Sequence, residues 1–196
     1  MPDNTRPSPR APLPSGEGKF EVQVSCPAFA QDSVVRSIDA VSYRGFAVLP
    51  EYIDPNGHMN VGYYSVLFDK ALDLPWALLG LGYAGIKASG RSSFALETHV
   101  TYQRELREGD PLDFTFHVLD FDAKRIHYFM TMLHARERWL AATSESISIC
   151  IDMTTRRSTT WPNDQLARLR EVHAAHLRRP RPSEAGRTIG IRRNVP

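Results

Sequence analysis

The sequence is poor in cysteine and has no long hydrophobic run, and both absences exclude classes of protein. Its 196 residues include only Cys26 and Cys150, too few for a disulfide framework or a four-cysteine zinc site. No apolar stretch approaches the roughly 18 residues of a membrane span. The N-terminus is rich in proline and arginine and lacks the apolar stretch of a secretory signal. These absences predict a cytoplasmic protein.

Basic charge is scarce outside the C-terminus. From Arg178 onward there are six arginines and one glutamate, whereas the preceding 177 residues carry 18 basic and 21 acidic groups, a net charge of −3. Such a body does not predict a nucleic-acid-binding face. The basic tail is interpreted as a solvated segment, with phosphate binding as the alternative.

Changes in composition divide the chain into five segments. Residues 1–20 contain many prolines and predict a disordered arm. Residues 21–42 remain ambiguous between a strand and a short helix. A folded domain spans residues 43–162, followed by a helix over 163–179 and a basic, disordered tail over 180–196.

The folded domain opens with a short strand, a polar turn and a long helix. The strand ends at Pro50, the turn sequence is Asp-Pro-Asn-Gly, and Asn60 is a good helix N-cap. Pro75 predicts a break near the helix end, and the glycines over 80–90 predict a flexible connection. One apolar face recurs at helical spacing: Tyr64, Leu67, Phe68, Ala71, Pro75 and Leu78.

Four segments of alternating polarity follow this helix and predict antiparallel strands. They cover residues 94–103, 112–118, 125–135 and 140–153, and their short links predict a meander of hairpins. The fold class is therefore α+β, with one helix lying against the apolar face of the sheet. The remaining sheet surface would be covered by a second subunit.

The turn and its position before the helix carry a resemblance. Asp54, Gly57, His58, Met59 and Asn60 are similar to the signature of hotdog-fold acyl-CoA thioesterases of the 4-hydroxybenzoyl-CoA thioesterase type. YQRELREGD and AATSESISICIDMTTRRSTTWP resemble later strands of that family. The resemblance implies an antiparallel sheet wrapped around one long central helix, an acyl-CoA substrate, and a homodimer or homotetramer. It also implies no cofactor other than the CoA of the substrate.

A narrower resemblance points to an acyl group. EYIDPNGHMN, SFALETHVTYQREL and DFDAKRIHYFM look like thioesterases associated with carnitine dehydrogenase, whose substrate is betainyl-CoA. Two departures matter: Glu105 stands where proline is usual, and the helix glutamate of another subclass is not evident. Asp54 is therefore the well-placed carboxylate of the signature.

The resemblance gives the turn residues chemical roles. Asp54 is expected to act as general base or nucleophile, a choice the sequence leaves open. The oxyanion would accept hydrogen bonds at the helix start from Val61 and Gly62, with the Gly57 and His58 amides as alternatives.

Structural readings of the same residues stay open. Asp54 could simply form an Asx-turn, and a loop-fixing hydrogen bond is a more frequent use of a histidine such as His58 than catalysis. Asn60 could cap the helix or orient Asp54.

A betainyl group would need aromatic faces and a carboxylate around its quaternary ammonium. Glu97 is the candidate carboxylate, although it could simply be solvent-exposed, and each aromatic could belong to the core. Arg104, Arg107, Arg156 and Arg157 are candidates for the CoA phosphates. The aromatic candidates are Tyr63, Tyr64, Phe68, Trp76, Phe94 and Tyr102.

Other chemistries fit the sequence less well. It contains no Gly-x-Ser-x-Gly elbow, and its histidines lack metal-ligand spacing, so neither a serine triad nor a metal site is predicted. A hotdog dehydratase would need a different loop. A non-catalytic acyl-CoA-binding or regulatory hotdog protein is the alternative, favoured by the basic tail and opposed by the intact Asp54.

Overall fold

The computed structural model describes residues 46–191, so the arm over 1–20 and the segment over 21–42 lie outside the described residues. Within this part no helix is both long and apolar enough to cross a bilayer. The elements are β1 (Phe46–Ala47), a 3-10 turn (Pro50–Tyr52), α1 (Val61–Leu79), α2 (Tyr83–Ser89), β2 (Arg91–Tyr102), β3 (Pro111–Phe121), β4 (Arg125–His134), β5 (Leu140–Asp152) and α3 (Asn163–His176).

Helix α1 begins after the expected cap, Asn60, and ends before the glycines over 80–90. It does not break at Pro75 as the sequence predicted. Asn60 caps it by accepting a 2.9 Å hydrogen bond from Gly62 N, and Gly80 ends it with a φ of 76°. The predicted break at Pro75 is wrong, because the helix continues to Leu79 and buries the proline on its apolar face. Packing of that face offsets the amide hydrogen bond that proline cannot donate. The predicted apolar stripe is confirmed as the buried one.

The connection after α1 is not the flexible glycine-rich stretch that the sequence predicted. It contains the short helix α2, which starts after Gly82 and ends at Gly90 with a φ of 65°. Gly85 is required by close packing, because a Cβ built there would lie 1.8 Å from the Gly80 carbonyl oxygen. The glycines therefore serve helix termini and a close backbone approach.

All five strands form one antiparallel sheet in the order β1-β3-β4-β5-β2. The predicted β3–β4 and β4–β5 hairpins are confirmed, whereas the hairpin expected between β2 and β3 is wrong. β2 pairs with β5 and stands at the edge of the sheet opposite β1. Residues 103–110 carry the chain from this edge across the sheet to β3. Alternating polarity predicts the faces of a strand, but it does not name the strand's neighbours.

The face of the sheet that packs on α1 is apolar on β3 and β4, as predicted, but small and polar on β5. Ser146, Ser148 and Cys150 are buried there, at 5%, 2% and 0% exposure. A β-bulge between Ala95 and Glu97 shifts the register of β2 on β5. The sequence grouped residues 94–102 into one alternation, and the bulge breaks it.

The bulge separates residues that the sequence placed on one face. Beyond it, Thr98 pairs with Ser146, and so belongs to the face that packs on α1. Before it, Phe94 pairs with Ile149 on the outer face. Directly after it, Glu97 pairs with Ile147 on that same outer face. Phe94 and Tyr102 therefore point to opposite sides of the sheet.

Helix α3 covers the edge of β3 that β1 leaves open. His176 Nδ1 accepts a 2.9 Å hydrogen bond from Val118 N, and His173 Nε2 lies 3.3 Å from Leu119 O. The sequence predicted a helix to residue 179 and a disordered tail from residue 180. The structure ends the helix at His176 and describes a turn-containing segment in which Gly186 N donates to Glu145 Oε2 at 2.7 Å.

Candidate active site

The segment 54–60, called here the 54–60 loop, is a tight turn held by its own backbone. Asp54 N donates to His58 O at 3.0 Å, and Gly57 N donates to Asp54 O at 2.9 Å. Gly57 has a φ of 81°, which favours glycine. Asp54 Oδ1 accepts from Asn56 N at 2.8 Å, so the Asx-turn anticipated as an alternative is present. Within the described residues Asp54 Oδ2 makes no hydrogen bond, which leaves it available for chemistry.

A second segment supports this loop from below. Met59 N donates to Leu106 O at 2.7 Å, and Leu106 is fully buried. Burial raises the pKa of Tyr64, although a hydrogen bond from the Leu106 backbone opposes this. The crossover between β2 and β3 is therefore part of the site's scaffold.

The start of α1 offers one free amide rather than two. Gly62 N is bonded to Asn60 Oδ1, so it is not available to a substrate. Within residues 46–191 the Val61 N–H makes no hydrogen bond, and Val61 is 58% exposed. A helix N-terminus favours negative charge, so Val61 N is the better placed of the two predicted oxyanion donors.

His58 sits beside Asp54 without a hydrogen bond to it. Its Nδ1 is 4.0 Å from Asp54 Oδ1 and 3.3 Å from Met59 O. Glu105, the departure from the family pattern, lies nearby: a hydrogen bond from Arg107 lowers its pKa, and His58 contributes to the same direction. His58 therefore lies next to Asp54 without a hydrogen bond to it, and its contact with Met59 O agrees with a loop-fixing role.

The space between α1 and the exposed middle of β2 is called here the groove. Tyr64 contacts Tyr102 edge-on at 5.1 Å near the end of β2, and Trp76 Nε1 donates to Ser93 Oγ at 2.8 Å near its start. Helix and strand are thus antiparallel. Between these two contacts Thr98 is exposed although it lies on the face that packs on α1.

The floor of the groove carries hydroxyl groups. Thr98 Oγ1 lies 3.1 Å from Ser146 Oγ, and the Tyr128 hydroxyl lies 3.5 Å from Ser148 Oγ. Burial raises the pKa of Tyr128, and the charge of Asp69 adds to this. Sequence reasoning missed both Tyr128 and Asp69. For Asp69, the sequence offered one signal: a carboxylate eight residues after Val61, about two helical turns beyond the cap.

The remaining predicted substrate residues divide into three groups. Tyr64, Trp76 and Tyr102 flank the groove. Tyr63 stacks on Tyr52 at 4.3 Å, and Phe68 is buried against Phe114 in the core. The third group comprises Phe94 and Glu97, which lie on the outer face of the sheet, away from the groove of their own chain.

Three of the four arginines predicted for CoA, all except Arg157, have side-chain partners in the structure. Arg104 lies over the Trp139 ring at 4.3 Å, and Arg156 lies over Phe94 at 4.9 Å. Arg107 pairs with Glu105 at 2.9 Å. In the described part of the chain no three His, Cys, Asp or Glu side chains form a metal-binding group.

With the loop and groove in place, comparison with known proteins defines the family. The chain matches the Thioesterase-like superfamily over residues 48–169. It is 33% identical over 144 residues to a betainyl-CoA thioesterase of Pseudomonas aeruginosa, and the match covers 74% of this chain and 91% of that protein. This chain belongs to the thioesterase-like superfamily. The antiparallel sheet around α1 is the predicted hotdog fold.

Three further proteins are also similar to this chain in sequence or in fold. An L-carnitine dehydrogenase/betainyl-CoA thioesterase of Rhizobium meliloti is 31% identical over 142 residues, covering 72% of this chain but 28% of that longer protein. SAV2348 of Staphylococcus aureus, solved in complex with CoA, has a TM-score of 0.70 and 29% identity over 75% of this chain and 92% of its own. A DHNA-CoA thioesterase of that organism shares the fold, with a TM-score of 0.62 and 20% identity over 68% and 91% of the two chains.

Proposed function

We propose that this protein hydrolyses an acyl-CoA thioester with a short cationic acyl group, betainyl-CoA, to the free acid and CoA. One observation carries the proposal: the chain covers 91% of a betainyl-CoA thioesterase at 33% identity. The 54–60 loop supplies the chemistry, since Asp54 has a carboxylate oxygen, Oδ2, that no hydrogen bond from residues 46–191 occupies, beside a helix N-terminus. The polar groove floor suits a short polar group better than a fatty acyl chain.

The residues divide the reaction between them. The thioester oxygen accepts a hydrogen bond from Val61 N, whose contribution to lowering the barrier is about 3 kcal/mol. Asp54 then either removes a proton from the attacking water or attacks the carbonyl carbon itself, and water releases the acyl group. The carbon–sulfur bond breaks in either route, and the water proton reaches the CoA thiolate. The net reaction consumes one water.

We further propose that the active unit is a homodimer joined through β2. This strand has 12 residues, stands at the edge of the sheet and exposes Leu96 by 56% and Tyr102 by 50%. A long apolar edge strand normally acquires a partner. Antiparallel pairing with β2 of a second copy would cover the groove and exclude water from the thioester.

The test is thiol release from betainyl-CoA by wild type and by Asp54→Asn. We expect the substitution to preserve the fold and reduce kcat by about 100- to 10,000-fold. Asp164→Asn, at the exposed start of α3, is the matched control and should retain wild-type turnover.

Two outcomes would contradict the proposal. Turnover that survives Asp54→Asn removes Asp54 from the mechanism. Binding of betainyl-CoA with no release by wild type would identify a non-catalytic acyl-CoA-binding protein, and a panel of aliphatic and aromatic acyl-CoAs would show whether only the acyl group was wrong.

A further inference from the structure

We propose that Asp69 is the residue that selects a cationic acyl group, acting from the wall of the groove between α1 and β2. This inference rests on the proposed function and names the group that sets its specificity. It replaces the carboxylate that the sequence favoured, Glu97, because Glu97 lies on the opposite face of the sheet in its own chain.

The position of Asp69 on the helix places it beside the acyl group. Ser65, Asp69 and Trp76 are spaced by four and seven residues, so they share the flank of α1 that Trp76 joins to β2. Asp69 is two turns from Val61, roughly 12 Å along the axis, and its side chain leans back toward the helix start. An acyl group that leaves a thioester at Val61 N along the helix axis would therefore extend toward Asp69.

The surroundings of Asp69 suit a quaternary ammonium group. The charge of Asp69 adds to the burial that raises the pKa of the Tyr128 hydroxyl. The exposed carboxylate of Asp69 attracts a cation by charge alone, which suits a trimethylammonium group because that group has no hydrogen bond to donate.

The negative charge on this flank has no ion-pair partner among residues 46–191. In the described residues neither Asp69 nor Asp73 forms an ion pair or hydrogen bond. Lys70, next in sequence, is about 100° around the helix and cannot face the same groove. Two like charges one turn apart oppose each other, so a bound cation is the group that would relieve them.

The experiment compares two substrates of nearly equal shape. Betainyl-CoA carries a trimethylammonium group, and 3,3-dimethylbutyryl-CoA carries a neutral tert-butyl group in its place. We expect wild type to prefer betainyl-CoA in kcat/KM. Asp69→Asn should lower kcat/KM for betainyl-CoA by about 10-fold or more and leave the neutral substrate unchanged. Asp69→Glu should restore most of the preference.

Matched variants keep this result interpretable. Asp73→Asn removes the same charge one turn further from the thioester and should lower the preference less. A thermal unfolding curve for each variant confirms that the exposed substitution leaves the fold intact.

Several results would overturn the assignment of Asp69. Equal kcat/KM for both substrates in wild type, or equal losses on both substrates in Asp69→Asn, excludes charge selection by this residue. A preference unchanged in Asp69→Asn also excludes it. Each of these leaves the proposed function standing if Asp54-dependent release from betainyl-CoA persists, whereas absence of that release is a failure of the proposed function itself.

Discussion

The two edges of the sheet are finished in different ways. At one edge, β1 and α3 cover β3, and His176 accepts the amide hydrogen that a further strand would have accepted. At the other, the 12-residue strand β2 has no neighbour beyond β5 within residues 46–191, and its middle is exposed. Because a free edge is a site for strand pairing, the open edge is the one through which the proposed homodimer would form, whereas the closed edge offers no such site.

The largest expected effect comes from charging the open edge. Leu96→Lys would bring like charges together at the centre of an antiparallel β2–β2 interface, where they repel by several kcal/mol. We expect the mass measured by sedimentation to fall from dimer to monomer, with loss of thioesterase activity. Leu177→Lys is the control, because it is the same leucine-to-lysine substitution at a 68% exposed residue that lies beyond α3. An unchanged dimer would place the interface elsewhere.

The closed edge should respond through stability instead of assembly. His176 is fully buried, and His176→Ala leaves the Val118 N–H without its imidazole acceptor and opens a cavity. We expect a loss of about 3 kcal/mol in the free energy of unfolding measured in urea. His173→Ala, on the same helix with a longer contact and partial exposure, should cost less than half as much. Equal losses would mean that α3 packing alone closes this edge.

Cys150 reports whether β2 stays attached to β5 at the open edge. It pairs with Ser93 of β2 and is fully buried, and burial raises the pKa of its thiol to about 11. Because the thiolate is the reactive form, alkylation at pH 8 should be at least about 100-fold slower than in urea-unfolded protein. Peptide mass spectrometry on a Cys26→Ser variant follows Cys150 alone. Rapid alkylation of the native protein would show that β2 frays from the sheet.

The smallest effect concerns the groove beside the open edge. Burial and the neighbouring Asp69 raise the pKa of Asp73, so the folded state holds its proton more tightly than the unfolded state. The resulting stabilisation exists below the unfolded pKa of 3.8 and is lost as pH rises through the folded pKa. Asp73→Asn should therefore raise the free energy of unfolding at pH 7 by a few tenths of a kcal/mol. The difference should vanish near pH 3; a constant gain would indicate another cause.

Local chemistry accounts for the parts of the site that could be read in advance. The turn over 54–60 follows from Asp, Pro, Asn and Gly in sequence, and the cap at Asn60 from its side chain. The buried stripe of α1 follows from helical spacing. Each of these depends on residues within a few positions of one another, so the sequence contains the whole cause.

Structural features that depend on residues far apart in the chain could not be predicted from the sequence in the same way. Pro75 stays within α1 because packing offsets its missing donor, and β2 crosses to β5 although β3 follows it in sequence. Because of the bulge at residues 95–97, Phe94 lies on the same outer face as Glu97. No alternation pattern predicts a bulge, since the inserted residue is defined by the strand opposite.

The sequence by itself determined the 54–60 loop, the helix behind it, the apolar faces of the strands and, through its motifs, the family. Tertiary structure alone decided that the Gly62 amide is occupied, that Glu97 lies on the outer face of the sheet, and that β2 pairs with β5 instead of with β3. The physical reason is the range of the forces involved. Turns and caps are set by hydrogen bonds between neighbours in the chain, whereas strand order, burial and charge proximity are set by packing across it.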